Sequence, residues 1–386
     1  MHTSHRTQLF TESVIREMTR VAQEHDAINL AQGFPDFPAP DLLKEEAARA
    51  IHSDINQYAI TWGSKHLRDA VAVKYYDWYG MDVNPETEVT VTCGATEAMV
   101  SVMLAVVDPG EEVIVFEPFY ENYDRDTLLC GAEPVYVPLG GREELDLDRL
   151  AAAFSDRTRA IVINTPNNPT GRVLPRRDLE GIAELCRRHD AYAITDEIYE
   201  HIYYEGDHIP IATLDGMRDR TITVSGASKT FAVTGWRVGT VVAPSIVTGA
   251  IRKVHDFLTV GAPAPLQEAV AIAMETLGPD YYTDMARHYK SRRDILIAGL
   301  KESGFRCDPP EGSYYVLCDF SGLSDLPDDR FAVWLTAEHG VASVPGSSFF
   351  QDPADGRHLV RFAFCKTEAL LAEAVQRLGA IGTPGG

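Results

Sequence analysis

The sequence is poor in the cysteine and histidine patterns that mark metal sites and disulfide frameworks. Its 386 residues include six cysteines, and none of them forms a CxxC pair or joins a His/Cys cluster with zinc spacing. The cysteines are Cys93, Cys130, Cys186, Cys307, Cys318 and Cys365. Scattered cysteines are typical of a reducing compartment, and the polar start MHTSHRTQLF lacks the apolar core of a secretory signal. We therefore expect a cytoplasmic protein without a metal ion.

Basic residues are also fewer than acidic ones. The chain has 35 Lys and Arg against 57 Asp and Glu, which gives a formal net charge of −22 at pH 7. Without a basic excess, a protein neither neutralises a nucleic-acid backbone nor docks on an anionic membrane. The sequence has no apolar run of about 18 residues, the length that a bilayer span requires. We therefore expect no nucleic acid and no membrane as partners, whereas a small anion held by a few cations stays possible.

Several catalytic signatures are missing as well. The glycine patterns GxGxxG and GxxxxGK[ST] do not occur, so the dinucleotide-binding and P-loop classes lack their signature. The patterns HExxH and GxSxG are also absent, which argues against zinc proteases and α/β-hydrolases.

Short apolar runs alternate with helical patterns through the middle of the chain. The predicted strands are EVTVTC, EEVIVFEP, AEPVYVPL, RAIVINTP, AYAITDEI, RTITVSG and VGTVVAP. Strands that alternate with helices predict a mostly parallel, buried sheet of the α/β class. From about Tyr289 the pattern changes to that of a smaller α+β unit. We expect an N-terminal segment (1–45) packed with the small domain, a large domain (46–285) and a small domain (286–386).

Parallel sheets bind ligands beyond the carboxyl ends of their strands, so the residues that follow each strand are the candidate site. Gly94, Ala95 and Thr96 begin a predicted helix, whose free N–H groups can bind an anion. Taken alone, these residues are better explained by an ordinary N-cap with Glu97 in the first turn. Tyr120 follows the next strand and can stack on a flat ring, although aromatic residues more often pack in a core.

The next two strands end in amides, an acid and a phenol. Asn164 and Asn168 flank a turn in INTPNNPTG, and turn chemistry explains Asn164 less well than the prolines and the glycine. Asp196 ends an apolar strand, where an unpaired carboxylate is costly. Tyr199 lies three residues further on, so one local turn can aim both side chains at one ligand. A capping aspartate is the common alternative.

One lysine stands apart in the segment SGASKTFAVTGWRVG. Lys229 lies among small and apolar residues after a predicted strand, with Ser228 before it and Arg237 eight positions later. A solvated loop lysine is the ordinary interpretation of such a residue. The neighbouring strand ends change this interpretation, because together they predict an amine, an acid, a phenol, an amide and a guanidinium around one ligand.

These motifs, in this order, resemble the class I/II aminotransferases, the pyridoxal 5′-phosphate (PLP) enzymes of fold type I. The resemblance rests on NNPTG, TDEIYEHI and SKTFAVTGWRVG, and INLAQGFPDF, NQYAITWG, GATEA and VRFAFCKTE extend it over nearly the whole chain. LAQGFPDFPAP and EPFY are most similar to the branch of kynurenine, glutamine and methionine aminotransferases. The resemblance implies a large domain with a mostly parallel, seven-stranded sheet between helices, and a smaller α+β domain.

The resemblance also implies a role for each strand-end residue. Lys229 would form a Schiff base with the cofactor aldehyde and then move the α-proton, which requires an amine that loses its proton easily. Asp196 would keep the pyridine nitrogen protonated, so that the ring accepts electrons. Tyr199 and Asn168 would hydrogen-bond the phenolic oxygen of the ring, and Tyr120 would stack on it.

The remaining residues would bind the anionic ends of cofactor and substrate. The phosphate ligands would be Gly94, Ala95, Thr96, Ser228, Arg237 and, from the neighbouring subunit of a homodimer with shared active sites, Tyr58. Arg361 would bind the substrate α-carboxylate, with Gly33 and Asn164 completing that site. Many members of the family carry a serine three residues before the lysine as a phosphate ligand. This chain has Gly226 there, which puts its affinity for the cofactor in question.

We therefore expect an aminotransferase that moves an amino group from an L-α-amino acid to a 2-oxo acid by a ping-pong mechanism. A neutral or aromatic donor is expected, because no motif supplies a second arginine, and Arg16, Arg20 and Arg252 cannot be placed from sequence. A β-lyase and an aspartate-type aminotransferase are the alternatives that keep the cofactor, and a lyase would not require a 2-oxo acid. A non-enzymatic protein of this fold is expected to lack Lys229 or Asp196, and both are present.

Overall fold

The computed structural model describes residues 2–141 and 145–381. The strands are β1 (Ile28–Asn29), β2 (Val89–Thr92), β3 (Glu112–Glu117), β4 (Glu133–Pro138), β5 (Thr158–Asn164), β6 (Tyr192–Asp196), β7 (Thr221–Gly226), β8 (Gly239–Val242), β9 (Tyr315–Asp319), β10 (Val341–Ala342), β11 (Val344–Pro345) and β12 (Leu359–Ala363). The helices are α1 (Val14–Glu24), α2 (Asp41–His52), α3 (Lys65–Tyr79), α4 (Gly94–Val106), α5 (Asn122–Cys130), α6 (Leu147–Ala153), α7 (Arg176–His189), α8 (Ala227–Thr230), α9 (Ser245–Thr259), α10 (Ala264–Thr276), α11 (Pro279–Glu302), α12 (Asp328–His339), α13 (Pro353–Gly356) and α14 (Glu368–Leu378).

Seven strands form one sheet in the order β2-β8-β7-β6-β5-β3-β4. The pairs β3/β4, β3/β5, β5/β6 and β6/β7 are parallel, whereas β8 runs antiparallel to both of its neighbours. The mostly parallel seven-stranded sheet expected from the sequence is thereby confirmed.

Alternate residues of the central strands enter two different hydrophobic clusters. In β3, Val113 and Val115 lie in one cluster with residues of α4, whereas Ile114 and Phe116 lie in another with residues of α7. Both faces of the sheet are therefore covered, which is why these strands read as continuous apolar runs. A ligand can reach the sheet only at the ends of its strands.

The connection between β7 and β8 decides where the lysine of the SGASKTF segment lies. Residues 227–238 form the four-residue helix α8 and a single 3-10 turn, Thr234–Trp236, instead of a helix that crosses the sheet. The chain consequently returns antiparallel as β8. Lys229 is held in α8, at the carboxyl end of β7 and at the same edge as the ends of β5 and β6.

The C-terminal part is built on the antiparallel sheet β11-β12-β9, and β1 pairs in parallel with β10. One hydrophobic cluster joins this part to the N-terminal segment, because Met18 and Ala22 of α1 lie in it with Phe331 and Leu335 of α12. The division into three parts stays a prediction. The proposed boundaries at 45/46 and 285/286 fall inside α2 and α11, so both helices continue across them.

Candidate active site

The register of the parallel strands brings the predicted side chains together at one edge. Asn164 and Asp196, the last residues of β5 and β6, are paired across the two strands. Asn164 Nδ2 donates a hydrogen bond of 2.9 Å to the backbone carbonyl of Asp196, and the backbone N–H of Asn168 donates one of 2.7 Å to Asn164 Oδ1. The amide of Asn164 therefore fixes two strand ends and the following turn.

A cavity of about 640 Å³, counted with its open mouth, lies at this edge. The predicted residues that line it are Ala95, Thr96, Tyr120, Asn164, Asn168, Asp196, Tyr199, Ser228, Lys229 and Arg237. Met99, Asn122, Tyr123, Ile198 and Tyr315 also line it, although the sequence did not single them out. Residues from five separate strand ends thus meet around one space.

Lys229 has an amine that is shielded from solvent and close to other cations. Its Nζ donates a long hydrogen bond of 3.4 Å to the carbonyl of Gly33 and lies 5.6 Å from the ring centroid of Tyr314. Burial lowers the pKa of Lys229 to about 8; Asp196 opposes this shift, and Arg237 adds to it. A neutral, nucleophilic amine is therefore accessible close to neutral pH.

Asp196 keeps its carboxylate at the cavity wall through two donors. Tyr123 Oη donates a hydrogen bond of 2.8 Å to Oδ2, and the backbone N–H of Ile198 donates one of 3.2 Å to Oδ1. Burial raises the pKa of Asp196, against the lowering effect of these two bonds and of Lys229. The bond to Ile198 is the local turn contact that the capping interpretation predicts. The bond to Tyr123, 73 positions away, joins the carboxylate to α5 and has no signal in the sequence.

Arg361 is fully buried in the middle of β12 and points its guanidinium toward the cavity residues. Nη1 donates a hydrogen bond of 2.8 Å to Asn168 Oδ1, and Nη2 donates one of 2.8 Å to the carbonyl of Ala31. The group lies 4.2 Å from the ring centroid of Tyr315 and 5.0 Å from that of Phe349. Its buried Nε has no hydrogen-bond partner among the described residues, and each terminal nitrogen keeps a second N–H, so the group retains donors for a ligand.

Tyr315 is the main cavity residue that the motifs missed. Its hydroxyl lies 3.5 Å from that of Tyr199, so it connects the Tyr199 phenol with the Arg361 site. Gly33 abuts the same hydroxyl, because a Cβ at Gly33 would lie 1.9 Å from Tyr315 Oη. Only glycine fits there. Its carbonyl accepts a hydrogen bond of 2.9 Å from Tyr314 Oη.

The start of α4 borders the cavity through Ala95 and Thr96. Gly94 begins the helix with a φ of +81°, and Cys93 before it makes no side-chain cap, so the first N–H groups of the helix lack acceptors within it. Arg237 Nη2 lies 3.5 Å from Thr96 Oγ1. A Cβ at Gly94 would lie 2.2 Å from Arg237 Nη2. A helix start beside an arginine is suited to a phosphate group.

The residues before the lysine explain the departure at Gly226. A Cβ at Gly226 would lie 2.7 Å from the carbonyl oxygen of Val238, so this backbone has no room for a side chain there. The hydroxyl of Ser225 is engaged elsewhere, since it donates a hydrogen bond of 2.5 Å to Glu200. Ser228 lines the cavity and is the serine of this segment that is left for an anion.

Tyr58 is not brought to this cavity within the chain. Its side chain is 85% exposed, in the loop before α3. This position is compatible with the expectation that Tyr58 serves a neighbouring subunit, which stays a prediction.

The described ranges contain neither a metal centre nor a membrane span. No group of three or more His, Cys, Asp or Glu side chains in residues 2–141 and 145–381 is arranged to hold a metal ion. No helix in these ranges has both the length and the apolar character needed to cross a membrane.

The arrangement of the cavity agrees with what comparison with known proteins shows. Residues 25–378 match the family model described as aminotransferase class I and II. The chain belongs to this family. It is 40% identical over 390 residues to the probable N-succinyldiaminopimelate aminotransferase DapC of Mycobacterium tuberculosis, covering 97% of this chain and 98% of the relative. It is 39% identical to the methionine aminotransferase of Escherichia coli, covering 95% of each, and 37% identical to human kynurenine–oxoglutarate transaminase 1, covering 94% of each.

Solved structures show the same likeness over the whole chain. N-succinyldiaminopimelate aminotransferase from Mycobacterium tuberculosis superposes with a TM-score of 0.95 at 39% identity, covering 99% of this chain and 100% of that chain. Aspartate aminotransferase from Thermus thermophilus with maleate superposes with a TM-score of 0.92 at 34% identity, covering 99% of this chain and 100% of that chain. The family, its fold type I and its PLP-dependent amino transfer are therefore confirmed, as is the similarity to methionine and kynurenine aminotransferases.

The side chains around the cavity fit PLP, independently of the family match. The half-buried amine of Lys229, the buried carboxylate held by Tyr123, and the helix start beside Arg237 would serve an aldehyde, a pyridine nitrogen and a phosphate, respectively. The orphaned Nε of Arg361 lies beyond them, next to Asn168 and Tyr315.

The lowered pKa of Lys229 predicts how the cofactor-free protein takes up PLP. Only the neutral amine attacks the aldehyde, so the rate should rise about tenfold per pH unit below pH 8 and level off above it. Stopped-flow measurement of the visible absorption of bound PLP, between pH 6 and pH 10, gives this profile. Nα-acetyl-lysine in the same buffers is the control, since the rate at its exposed side-chain amine should show no plateau below about pH 10. A protein profile that also keeps rising to pH 10 would show that the amine is not shielded.

Proposed function

We propose that this aminotransferase works through Lys229 and Asp196 and moves an amino group from a neutral or aromatic L-α-amino acid to a 2-oxo acid in a ping-pong mechanism. The observation that carries the proposal is the shared cavity, in which the shielded amine of Lys229 faces the same space as the buried carboxylate of Asp196. The guanidinium of Arg361 adjoins that space through Asn168 and Tyr315.

The residues at the strand ends would hold the ring of PLP. When bound, PLP supplies an aldehyde that condenses with amines and a ring that draws electrons from the substrate α-carbon. Asp196 would bind the ring nitrogen, and Tyr123 keeps that carboxylate in one orientation. Tyr199 and Asn168 would bind the phenolic oxygen, and Tyr120 would cover the ring face.

The start of α4 would hold the phosphate. The backbone N–H groups of Gly94, Ala95 and Thr96 would donate to its oxygens, and Arg237 would neutralise part of its charge. Ser228 would add a hydroxyl, in place of the serine that the family often carries at position 226. Tyr58 of a second subunit would complete the site.

Lys229 would act as the base after it has released the cofactor. In its neutral form, Nζ accepts the proton from the substrate α-carbon and can return it on the other side of the reaction. A pKa of about 8 suits both directions near neutral pH, because the amine is then neither always protonated nor too weak as a base.

Arg361 would bind the substrate α-carboxylate. Its Nε is unpartnered, and its two terminal nitrogens are held in place by Asn168 and Ala31, so a carboxylate would meet an oriented group. The absence of a side chain at Gly33 lets the hydroxyl of Tyr315 lie directly against the backbone. Asn164 as a further carboxylate ligand stays a prediction, since its side chain already bonds Asp196 and Asn168.

The surroundings of the cavity support a donor with a neutral side chain. Tyr120, Met99, Ile198 and Tyr315 offer apolar walls. The three arginines that the sequence could not place lie elsewhere. Arg16 is exposed, Arg20 pairs with Glu12 at 2.8 Å, and Arg252 donates to the carbonyl of Val89 at 2.6 Å.

Asp196 provides the direct test of this mechanism. Asp196→Asn keeps the shape of the side chain but removes the charge that would protonate the ring nitrogen, so kcat should fall by at least about a thousandfold, roughly 4 kcal/mol in transition-state stabilisation. Thermal unfolding should change far less. The assay follows conversion of a 2-oxo acid. Amino transfer requires this acceptor and β-lyase activity does not, so the same assay separates the two reactions. Asp126→Asn, at a buried carboxyl whose Oδ2 has no hydrogen-bond partner among the described residues, is the matched control and should keep its turnover. Near wild-type turnover of Asp196→Asn would leave Asp196 as a turn residue only.

A second cavity favours a long acidic donor as the other candidate. It measures about 800 Å³ with its open mouth and is lined by Lys229, Phe37, Tyr289 and Arg292 among others. The guanidinium of Arg292 lies 4.0 Å from the ring centroid of Phe37, and its buried Nε has no hydrogen-bond partner among the described residues. An unpaired cation at the end of an aromatic wall is suited to a distal carboxylate. The DapC relative is named for a substrate that carries such groups.

Donor specificity separates the two candidates. If the neutral donor is correct, methionine, glutamine, phenylalanine or kynurenine should exceed aspartate in kcat/KM. If Arg292 receives a distal carboxylate, Arg292→Met should lower kcat/KM for a long acidic donor such as 2-aminopimelate by about tenfold, roughly 1.4 kcal/mol, and leave methionine unchanged. Arg287→Met is the control on the same helix, because Arg287 is exposed and pairs with Asp284. Aspartate above every neutral donor by more than about tenfold would overturn the neutral assignment, and equal losses for both donors would overturn the role of Arg292.

We propose a homodimer in which Tyr58 reaches the second active site. Tyr58, Phe257 and Val260 are large apolar side chains with exposed fractions of 85%, 92% and 46%. The loop of Tyr58 adjoins the end of α9, since Thr61 Oγ1 donates a hydrogen bond of 3.3 Å to Asp256 in the last turn of that helix. An exposed apolar patch on a loop and an adjoining helix end is typical of a subunit contact.

Mixed dimers test the shared site. Lys229→Ala chains lack the amine, and Tyr58→Phe chains lack the phosphate hydroxyl, so each homodimer should be impaired. After the two variants are unfolded, mixed and refolded, heterodimers regain one site with both groups. The activity should therefore exceed the mean of the two homodimers. Mixing Lys229→Ala with Tyr76→Phe, at another exposed tyrosine, controls for refolding. A fully active monomer in analytical ultracentrifugation would contradict the proposal.

The cytoplasm is the location that we propose. The structure has six free cysteines and leaves all of them unbridged. Free thiols persist in a reducing compartment.

A further inference from the structure

Two of the six cysteines lie side by side, although eleven positions separate them in the sequence. Arg306 and Asp319 form an antiparallel bridge, in which each backbone N–H donates to the other carbonyl at 2.9 and 2.8 Å. The next residues inward are Cys307 and Cys318. In an antiparallel ladder, the pair beside a doubly bonded one has its Cα atoms about 4.5 Å apart and its side chains on one face. That separation lies in the range that a disulfide bridges, roughly 4.4–6.8 Å.

The two thiols are in contact and differ in access. The hydrogen bond from the Cys318 thiol lowers the pKa of Cys307, and the charge of Lys301 helps, against the effects of burial and Asp308. Cys307 is half-buried, whereas Cys318 is fully buried, and burial raises the pKa of Cys318. Such a pair combines an accessible thiol that ionises easily with a second thiol in position to resolve it.

The other four cysteines lack these properties. Burial raises the pKa of Cys130 and of Cys186 to about 12, and that of Cys365 to about 11. Burial also raises the pKa of Cys93, which is half-exposed. Cys307 is therefore the cysteine that we expect to react first with an oxidant.

The segment between the two thiols leads directly to the active site. It contains Tyr314, whose hydroxyl bonds the Gly33 carbonyl at 2.9 Å, and Tyr315, whose ring lies 4.2 Å from the Arg361 guanidinium. Cys318 and Tyr315 belong to the same strand, β9, which pairs with the strand of Arg361. A covalent bond at Cys318 would thus act on the strand that supports the carboxylate site.

We propose that Cys307 and Cys318 are a redox-sensitive site, which a hydroperoxide converts to a disulfide, and that this bond weakens the binding of the amino donor through Tyr315 and Arg361. The second half of the proposal rests on the proposed function of Arg361, whereas the first half does not. A disulfide brings the two sulfur atoms from hydrogen-bond distance to about 2.05 Å, so the two side chains have to turn toward each other, and the bond then ties β9 to the segment that carries Cys307.

The reaction balances with the peroxide as its only oxidant. The Cys307 thiolate attacks one peroxide oxygen, an S–O bond forms, the O–O bond breaks, and hydroxide leaves. Cys318 sulfur then attacks Cys307 Sγ, the S–S bond forms, the S–O bond breaks, and the proton of the Cys318 thiol leaves with the hydroxide as water. The sulfur pair loses two electrons and the peroxide gains two, so two thiols and one hydrogen peroxide give one disulfide and two waters.

Peptide mass spectrometry tests the thiol pair on the PLP-loaded protein. Cys307 and Cys318 fall in one tryptic peptide, residues 307–330, because no lysine or arginine lies between Arg306 and Arg330. After treatment with hydrogen peroxide, this peptide should become two hydrogens lighter, before any other cysteine is modified, and dithiothreitol should restore it. Cys307→Ser should abolish the change, whereas the buried-thiol control Cys186→Ser should keep it. Prior oxidation of Cys93, or a peptide that stays reduced, would overturn the pair.

Steady-state kinetics of the same samples test the effect on the active site. Oxidation should raise the KM of the amino donor at least threefold, change kcat less, and leave the visible spectrum of bound PLP in place. Dithiothreitol should reverse the rise, which keeps the test valid even where a serine variant folds poorly. An unchanged KM in the disulfide form, or the same rise in Cys307→Ser, would overturn the link to the active site. A reduced protein without any transfer activity would instead contradict the proposed function, while the peptide mass would still decide the thiol pair.

Discussion

Asp196 is the last residue of a strand that is covered on both faces, and its carboxylate must stay charged in this buried position. The arrangement of the site follows from this constraint. A buried carboxylate is stable only with donors around it. Tyr123 from α5 and the backbone of Ile198 supply them, and Asn164 fixes the Asp196 carbonyl. The same contacts that stabilise the charge therefore also set the direction in which it faces the cavity.

A second buried acid, Glu200, holds the backbone segment that leads to Lys229. Glu200, the residue after Tyr199, accepts hydrogen bonds from Lys74 at 2.6 Å, from Tyr79 at 2.7 Å and from Ser225 at 2.5 Å. Burial alone would raise the pKa of Glu200, but Lys74 and the hydrogen bonds hold it low. Only Gly226 separates Ser225 from α8, the helix that carries Lys229. Glu200 therefore connects Lys74 of α3 both to the turn of Tyr199 and to the segment of Lys229. Removal of one partner would leave a buried charge unpaired, which is typically a severe loss of stability.

The substrate side of the site depends on the smaller part of the chain. Arg361 comes from β12 and Tyr315 from the neighbouring β9, whereas Asn168 comes from the turn after β5 of the large sheet. The carboxylate site is thus assembled across the two parts. The ring of Tyr315 is in direct contact with the Arg361 guanidinium. A displacement of β9, such as a disulfide at Cys318 would cause, would therefore alter the position of that guanidinium.

The sequence by itself determined the parallel sheet, the edge at which the site opens, and the residues at the strand ends, because each of these follows from a local pattern and from the common direction of parallel strands. The resemblance to a family then assigned roles to Lys229, Asp196 and Arg361. Only the tertiary structure placed Tyr123 on Asp196, Arg361 on Asn168, and Cys307 beside Cys318. The first two contacts join residues 73 and 193 positions apart, and no spacing rule reports them. The cysteine pair depends on a bridge between two short extended segments, whose register is set by packing rather than by periodicity.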